Sequence, residues 1–335
     1  MARTSSSTMA GRSEAAVHQV AIIGAGQLGR RHLQGLVKST QALTVHVVDP
    51  LEASRRAVAD FIASPEAGPL PAIYVHESLA ALPAELDVAI IATTANQRFA
   101  VIEQLAQAAK VRHLVLEKFL FNDSEQYERA ASLIEARGMT AWVNTPRRHF
   151  GVYRELREQS RGDPLLHFTA DGGDWGLCCN SVHFVDLVQF LAGETELRGL
   201  ETRFDADVMA SKREGYVELT GELSGEVGAT RFTIRSIRGS AKPITVTLHY
   251  ARQTVFIVEG EGKLWRVGQD GAGAETFRLP YQSEMTGTIA DQLLSSDACD
   301  LTPYADSVAA HQPLLRAFAQ YAGTVSGARA QCAIT

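Results

Sequence analysis

The sequence predicts an α/β protein with two consecutive domains: a doubly wound parallel sheet, followed by an α+β domain with a large, open and mostly antiparallel sheet. Three observations support this prediction. The 335 residues exceed one ordinary compact domain. Before Pro146, short apolar runs alternate with helical periodicity, as in βαβ units. After it, period-2 alternation and glycine-rich turns prevail. The predicted domains are therefore residues 18–146 and 147–335.

The predicted strands of the first domain are apolar throughout, which indicates a sheet covered by helices on both faces. They are Gln19–Ile23, Thr44–Val48, Val88–Ala92, His113–Glu117 and Thr140–Val143. In the second domain we predict a helix over Ser181–Leu191 and a closing helix over Pro303–Tyr321. Between these helices, apolar residues alternate at Val246, Leu248 and Tyr250, as in a strand with one buried face. The open face of such a sheet suggests a homodimer or homotetramer.

The composition of the chain limits the kinds of molecule that it is expected to bind. The formal charge of -6 gives no general attraction for nucleic acid or anionic membranes, so a small-molecule substrate is favoured. No apolar run approaches the roughly 18–20 residues that span a bilayer. Residues 1–17 are rich in Ser, Ala and Arg without an apolar segment, and we predict a disordered leader. The four cysteines have neither framework nor metal-site spacing, which predicts no metal and a reduced, cytoplasmic setting.

A glycine-rich turn, GAGQLG at residues 24–29, follows the first apolar strand and opens a helix. In that context the first glycine permits a tight turn, the second lets the backbone approach a pyrophosphate, and the third allows close helix–strand packing. The helix N-terminus then offers free N–H groups to the phosphates. This is the pattern of a Rossmann dinucleotide-binding domain. The predicted pyrophosphate-binding residues are Gly24, Gly26, Gln27, Leu28 and Gly29.

Asp49 stands twenty residues beyond Gly29, at the end of the second strand. A carboxylate there accepts hydrogen bonds from the adenosine ribose hydroxyls and repels a 2′-phosphate, so NAD is favoured over NADP. Arg55 and Arg56 follow closely and are the alternative, as receivers of that phosphate, but they fall within the next predicted helix.

Two later strand ends face the same edge of the sheet, because ligands bind at the carboxyl ends of strands in such folds. The first carries Thr93, Thr94 and Asn96, and the second carries Glu117 and Lys118. A Glu-Lys pair leaving a buried strand is unusual, since isolated charges are costly beside an apolar core. We therefore predict that these five residues contact the cofactor. The alternative is an ordinary solvated strand end.

Taken together, these residues resemble the glucose-fructose oxidoreductase / inositol dehydrogenase / MocA family. The resemblance runs in order through GAGQLGRRH, Asp49, IATTANQR, LEKFL and SVHFVDL, and it covers nearly the whole chain after the leader. It implies a Rossmann domain followed by a mixed α/β domain with a large open sheet. It also implies that Lys118 hydrogen-bonds the reacting substrate oxygen, that Glu117 lies near the nicotinamide ribose, and that His183 acts as, or assists, the general acid/base.

Three positions depart from the family pattern. Phe119 stands where the motif has proline, and Arg98 stands where histidine is usual. Cys179 occupies the position, four before His183, at which many members carry aspartate. A thiol holds an imidazole poorly unless it ionises. Catalysis is therefore expected to depend on Lys118 and His183 without the third member.

The remaining polar candidates lie near the domain boundary and before the helix of His183. An arginine there can bind a substrate carboxylate or phosphate, and a tryptophan can stack on a sugar ring, although surface arginines and a core tryptophan are equally ordinary. Asn180 is expected to cap the helix or to contact substrate. The predicted substrate-binding residues are Arg147, Arg148, Trp175, Cys179, Asn180, His183 and Asp186.

The hypothesis that follows is reversible hydride transfer between NAD and a secondary alcohol carbon of a sugar, sugar derivative or cyclitol. One alternative is reduction of an imine, enamine or double bond, which some family relatives perform and which tolerates loss of the acidic residue better. Another is a dinucleotide-binding regulatory or scaffold protein without turnover, which Cys179 supports.

Overall fold

In a computed structural model of the chain, the structure describes residues 16–65, 68–211, 216–269 and 271–326, with side chains to residue 322. The predicted leader falls almost wholly outside these residues. No helix of the described part is long and apolar enough to cross a membrane.

The first sheet has the predicted parallel arrangement. Its strands run in the order β6-β5-β4-β1-β2-β3 and all pair in parallel. Because the chain moves outward in one direction after β1 and in the other after β4, the crevice between these two strands is the switch point at which such sheets bind ligands. The strands are β1 (His18–Ile23), β2 (Leu43–Val48), β3 (Ala72–His76), β4 (Glu85–Ile91), β5 (Lys110–Leu116) and β6 (Thr140–Val143).

Helices connect these strands and cover the sheet, whose central strands are fully buried as their apolar sequences predict. They are α1 (Gln27–Leu36), α2 (Glu52–Ala63), α3 (Ala95–Ala108) and α4 (Glu125–Ala136). We did not predict β3. It is partly exposed at the edge of the sheet, and a single 3-10 turn at Leu79–Ala81 replaces the crossover helix that would have marked it.

Beyond α5 (Gly151–Gln159), the second sheet contains eight strands and confirms the mostly antiparallel prediction. Their order is β16-β15-β14-β13-β7-β12-β11-β8, and only β7 and β12 pair in parallel. A separate ribbon pairs β9 (Met209–Ala210) with β10 (Val217–Glu218). The eight strands are β7 (Leu165–Gly172), β8 (Leu197–Phe204), β11 (Gly221–Val227), β12 (Thr230–Ser236), β13 (Thr245–Tyr250), β14 (Gln253–Val258), β15 (Lys263–Gly268) and β16 (Gly271–Thr276).

One face of this sheet packs against α6 (Leu177–Ala192). Val246, Leu248 and Tyr250 are buried on β13, as their alternation predicts. The start predicted for α6, Ser181, was wrong by one helical turn. Gly176 precedes the helix with a φ of +79°, so Asn180 lies inside the first turn and does not cap it. This earlier start brings the segment around Cys179 onto the helix N-terminus.

The C-terminal segment returns to the first sheet. Helix α7 (Gln282–Ser296) packs against α1, and β17 (Thr302–Pro303) adds an antiparallel edge strand beside β6. Helix α8 (Tyr304–Ser326) then packs against α4 and α6. Consequently the two sheets do not belong to two consecutive halves of the chain, because residues 282–326 complete the first sheet from beyond the predicted boundary.

Candidate active site

The glycine turn between β1 and α1 has the geometry that its three glycines predict. Gly24 has a φ of +97°, and a Cβ there would lie 3.1 Å from the backbone of Thr93. A Cβ on Gly29 would lie 1.8 Å from the carbonyl oxygen of Gly24. By contrast, a Cβ on Gly26 would meet nothing within 4 Å, and no side chain caps the N-terminus of α1. Open space therefore adjoins uncapped N–H groups, which suits a pyrophosphate.

Asp49 lies directly after β2 and is buried, with 6% of its surface exposed. Its Oδ2 accepts the N–H of Ala25 at 2.7 Å, and its Oδ1 accepts that of Leu51 at 2.9 Å. The carboxylate is thus fixed beside the glycine turn. Arg55 lies inside α2 as predicted; its Nη1 donates to the carbonyl oxygen of Asp49 at 2.8 Å and its Nη2 lies 3.7 Å from Glu77.

Thr93, Thr94 and Asn96 lie at the carboxyl end of β4, beside the glycine turn. The Oγ1 of Thr93 is buried without a hydrogen-bond partner among the described residues. Thr94 precedes α3, whose N-terminus has no side-chain cap, and its hydroxyl donates to Asn96 Oδ1 at 2.6 Å. Tyr216, from the far side of the cleft, also donates to Asn96 Oδ1, at 3.2 Å.

Glu117 directly follows β5 and is held in a buried hydrogen-bond network. His32 Nε2 lies 2.9 Å from Glu117 Oε1, and Asn144 Nδ2 donates to the same oxygen. Burial alone would raise the pKa of Glu117, but the hydrogen bonds from His32 and Asn144 and the charge of Arg98 hold it below its usual range. His32 also contacts Thr286 of α7, so this carboxylate links three elements at one edge of the sheet.

Lys118 follows Glu117 and reaches across the cleft to the N-terminus of α6. Its Nζ donates to Cys179 Sγ at 2.9 Å, to the carbonyl oxygen of Cys179 at 3.1 Å and, more weakly, to Asn180 Oδ1 at 3.4 Å. The Nδ2 of Asn180 donates to the carbonyl oxygen of Trp175. No carboxylate of the described residues pairs directly with Lys118.

Glu218 is a member of this site that the sequence reasoning missed. From β10, its carboxylate accepts the N–H groups of Cys178 at 2.9 Å and Cys179 at 3.1 Å. Burial raises the pKa of Glu218, against the lowering effect of these N–H groups and of the Lys118 charge. No local signal marks Glu218, which lies one hundred residues from Lys118 along the chain. We call Lys118, Cys179, Asn180 and Glu218 the lysine cluster.

His183 lies one turn further along α6 than Cys179. Its Nδ1 is buried and has no hydrogen-bond partner among the described residues. Burial, together with the positive charges of Lys118 and Arg147, holds the pKa of His183 well below its usual range. The imidazole is therefore neutral at neutral pH and able to accept a proton.

Two predicted substrate-binding arginines lie in buried ion pairs. Arg147 donates from Nε and Nη2 to the two carboxylate oxygens of Glu259, and its guanidinium stacks 4.1 Å from the ring centroid of Phe184. Arg148 pairs likewise with both oxygens of Asp186. Each guanidinium fork is already filled by a carboxylate. Binding of a substrate anion would require these pairs to break, so the geometry supports a structural role.

Asp186 and Trp175 are also held by other groups. Asp186 is 1% exposed and accepts the hydroxyl of Thr302 on β17, so it ties α6 to the first sheet and does not hold His183. Burial raises the pKa of Asp186, opposed by Arg148 and Thr302. Trp175 is half-buried; its indole N–H donates to the carbonyl oxygen of Arg235 and its ring packs edge-on against Phe184. Their contact with substrate stays a prediction.

Comparison with known proteins agrees with this geometry. Residues 18–145 match the model of an oxidoreductase family, GFO_IDH_MocA, described by its NAD-binding Rossmann fold. The resemblance drawn from the sequence motifs is thereby confirmed. No curated protein matches the chain in sequence.

Solved structures of similar fold cover nearly the whole chain. The UDP-N-acetylglucosamine 3-dehydrogenase GnnA of Acidithiobacillus ferrooxidans is 16% identical, with a TM-score of 0.72 over 90% of this chain and 96% of that one. An oxidoreductase from Agrobacterium radiobacter, in complex with NAD+, L-tartaric acid and magnesium, is 14% identical, with a TM-score of 0.72 over 93% and 97%. The transcriptional regulator Gal80p from Kluyveromyces lactis is 14% identical, with a TM-score of 0.71 over 90% and 91%. At these identities the likeness shows the fold.

Two departures from the GFO_IDH_MocA motifs meet in one buried contact. The Lys118–Phe119 peptide is cis, and the Phe119 ring is fully buried against His311. Arg98, 2% exposed, donates to the carbonyl oxygens of Phe119, Leu120 and Thr93. Arg98 therefore connects the loop that follows β4 with the loop that follows β5.

Proposed function

We propose that this protein transfers a hydride between NAD and a secondary alcohol or ketone carbon of a sugar, sugar derivative or cyclitol. The observation that carries the proposal is Lys118, which lies at the carboxyl end of β5 and donates a hydrogen bond to Cys179, one turn before His183 on α6. An ammonium and a neutral imidazole in one cleft can stabilise and deprotonate a hydroxyl. The cleft opens beside the glycine turn and Asp49, where NAD would bind.

The residues at the glycine turn fit NAD better than NADP. Gly26 leaves room for the pyrophosphate, and the two Asp49 oxygens each retain a lone pair for the adenosine ribose hydroxyls. Arg55, which could otherwise receive a 2′-phosphate, is engaged with backbone carbonyls and Glu77. When bound, the nicotinamide supplies the hydride acceptor or donor. Thr93, Thr94 and Asn96 would line its approach.

Lys118 would bind the reacting oxygen. Its Nζ donates to three acceptors, of which the Asn180 oxygen at 3.4 Å is the most distant. A substrate hydroxyl or carbonyl oxygen can replace that contact without moving the lysine from Cys179. The ammonium then stabilises negative charge as it develops on the oxygen.

His183 would manage the proton. Because its imidazole is neutral at neutral pH, it can take the hydroxyl proton during oxidation and return it during reduction. Asp186 cannot assist, since its carboxylate is committed to Arg148 and Thr302. The protonated imidazole would lack a carboxylate partner, which we expect to favour a short-lived imidazolium that passes its proton onward.

The polyol or sugar class rests on the polar cluster and on the structural neighbours. GnnA is a UDP-N-acetylglucosamine 3-dehydrogenase, and the Agrobacterium radiobacter oxidoreductase was solved with L-tartaric acid. Lys118, Asn180 and His183 offer hydrogen bonds suited to a hydroxyl-rich ligand.

The test is titration of the purified protein with NAD and NADP by fluorescence, followed by sugars, nucleotide sugars and cyclitols with the tighter cofactor. We expect NAD to bind at least about tenfold more tightly than NADP, since a 2′-phosphate would face the Asp49 carboxylate. Asp49→Ser should narrow that ratio. Tighter binding of NADP by the unmodified protein would overturn the cofactor assignment. Bound NAD with no alcohol oxidised and no ketone reduced would overturn the reaction.

Imine, enamine or double-bond reduction is the second candidate, and a specific observation favours it. Among the described residues, Lys118 donates to Cys179 and Asn180 and to no carboxylate, so none of these carboxylates assists proton transfer by a direct contact with the lysine. A cationic imine substrate needs such assistance less than an alcohol does. Reduction of imino substrates with NADH, beside inactivity towards polyols, would support this reaction.

A non-catalytic role is the candidate from another class. Cys179 stands at a position where many members carry an acid, and one structural neighbour, Gal80p, is a transcriptional regulator. This role predicts dinucleotide binding with no turnover on any substrate of either panel. Turnover that disappears in a Lys118 variant would exclude it.

A further inference from the structure

Among the residues that the structure describes, no carboxylate forms an ion pair with Lys118, although its side chain is partly buried. Its three described acceptors are the carbonyl oxygen of Cys179, the sulfur of Cys179 and the amide oxygen of Asn180, and none of them is a carboxylate. A buried ammonium is costly unless negative charge lies near. The lysine cluster contains a single carboxylate, that of Glu218, and this carboxylate contacts the opposite side of the residue that receives Lys118.

Cys179 connects the two charges. Its N–H donates to Glu218 Oε1 at 3.1 Å, while its carbonyl oxygen and Sγ accept from Lys118 Nζ. The Cys179 backbone and side chain are thereby held from both sides. The two charges also interact directly, since the Lys118 charge lowers the pKa of Glu218.

The backbone at Gly176 lies close to the Glu218 carboxylate. A Cβ on Gly176 would lie 3.1 Å from Glu218 Oε1 and 3.2 Å from Asn180 Nδ2. Gly176 has a φ of +79°, a conformation that favours glycine. The turn before α6 therefore combines a left-handed glycine, a buried carboxylate and two backbone N–H donors within one helical turn of Lys118.

We propose that Glu218 is a positioning residue for Lys118: from β10 it supplies the negative charge of the lysine cluster and, through Cys179, fixes where the ammonium points. Glu218 touches neither substrate nor cofactor in this proposal. The inference deepens the proposed function, on which the catalytic role of Lys118 rests.

A helix cap with no further role would predict a different outcome. Burial raises the pKa of Glu218, so keeping it ionised at neutral pH lowers the free energy of unfolding there relative to low pH. A residue present only to stabilise the helix gains nothing from that cost. The proposal can therefore be tested by separating the charge of residue 218 from its shape.

Two variants of the full chain make that separation. Glu218→Gln keeps the length of the side chain and one acceptor but removes the charge, whereas Glu218→Asp keeps the charge and shortens the side chain. Glu226→Gln, at an exposed carboxylate of β11, is the matched control. The readout that needs no substrate is acetylation of Lys118 by an N-hydroxysuccinimide ester, followed by mass spectrometry.

An amine is acylated only as the free base, so loss of a neighbouring negative charge should speed its acylation. We expect Glu218→Gln to raise the Lys118 acetylation rate about fivefold, with Glu218→Asp and Glu226→Gln close to the unmodified protein. Where turnover is found, kcat should fall about tenfold in Glu218→Gln while the Kd for NAD is unchanged. A larger effect of Glu218→Asp than of Glu218→Gln, or no effect of either, would overturn the inference. Absence of turnover in the unmodified protein would overturn the proposed function, and the acetylation order would still decide the role of Glu218.

Discussion

The proposed cofactor side and the proposed catalytic side of the candidate site are built in contrasting ways. On the cofactor side, the glycine turn and Asp49 lie within about one βαβ unit of sequence, and backbone contacts hold them together. On the catalytic side, Lys118, Cys179 and Glu218 come from three distant segments and meet through side chains. A local motif thus forms the first, while the tertiary fold assembles the second.

The difference determines what each region tolerates. Gly24 and Gly29 are fixed by contact with backbone atoms, which cannot rotate away. In the lysine cluster, the residue at 179 is a thiol and the carboxylate comes from β10, so charge can be supplied from another element. We therefore expect substitutions on the cofactor side to affect the fold and those on the catalytic side to affect chemistry.

The largest effect is expected at Gly29. In Gly29→Ala the new Cβ would lie 1.8 Å from the Gly24 carbonyl oxygen, so the helix must separate from the strand. We expect the free energy of unfolding, measured by urea denaturation, to fall by about 3 kcal/mol, with loss of NAD binding.

Gly26→Ala is the matched control in the same turn. Its φ of -61° suits alanine, and its Cβ would meet no atom within 4 Å. Stability should change by less than about 0.5 kcal/mol while NAD affinity weakens, because the methyl group enters the pyrophosphate space. If the two alanine variants were equally stable, contact with the Gly24 backbone would not be the reason that position 29 requires glycine.

A second, pH-dependent effect is expected at His311, which packs beneath the Lys118 loop against Phe119. Burial, with the charges of Arg98 and Lys118, lowers the pKa of His311 to about 3. In the unfolded chain His311 therefore binds a proton below about pH 6.5, whereas in the folded protein it binds one only below about pH 3. As the pH falls through this window, the contribution of His311 to the free energy of unfolding should decline by up to about 5 kcal/mol.

Urea denaturation at several pH values measures this decline. His311→Asn should flatten the slope between pH 6.5 and the acid limit, whatever its effect on stability at neutral pH. An unchanged slope in His311→Asn would show that the buried imidazole does not carry the acid sensitivity.

The smallest effect on the folded chain is expected at the outer face of the second sheet. Phe256 and Trp265 pair across β14 and β15 and are 39% and 38% exposed, with Val267 nearby at 50%. If copies of this chain associate there, Trp265→Glu should shift sedimentation towards the monomer with little change in melting temperature. Tyr74→Glu, at an exposed aromatic residue of β3, should not do so. Identical sedimentation of all three proteins would exclude this face.

Local patterns of the sequence predicted most of the fold. The apolar strands β1, β2, β4, β5 and β6, the switch to antiparallel strands and the glycine turn all depend on neighbours within a few residues. The edge strand β3, which the sequence analysis missed, is partly exposed and is followed by a 3-10 turn in place of a crossover helix. The first turn of α6 was missed because its N-terminal N–H groups are satisfied by Glu218 and not by a residue of the preceding loop.

In the candidate site, the sequence indicated the residues that stand in motifs and missed those that only the tertiary fold brings together. Lys118 and His183 stand in motifs, so the sequence brings them forward directly. Glu218 depends on where β10 lies relative to α6, and Arg98 depends on where two loops converge, which no spacing reveals. Arg147 and Arg148 were predicted to bind substrate because the sequence does not show their ion-pair partners. Those partners, Glu259 and Asp186, are known only from the folded structure.

The central claim is that Lys118 acts on the reacting oxygen of a substrate oxidised by NAD. Its most direct test is the steady-state kinetics of Lys118→Met with the best alcohol of the substrate panel, beside the Kd for NAD. The account predicts a fall in kcat of at least about a hundredfold, with the Kd for NAD changed by less than about threefold. Turnover retained in Lys118→Met would contradict it.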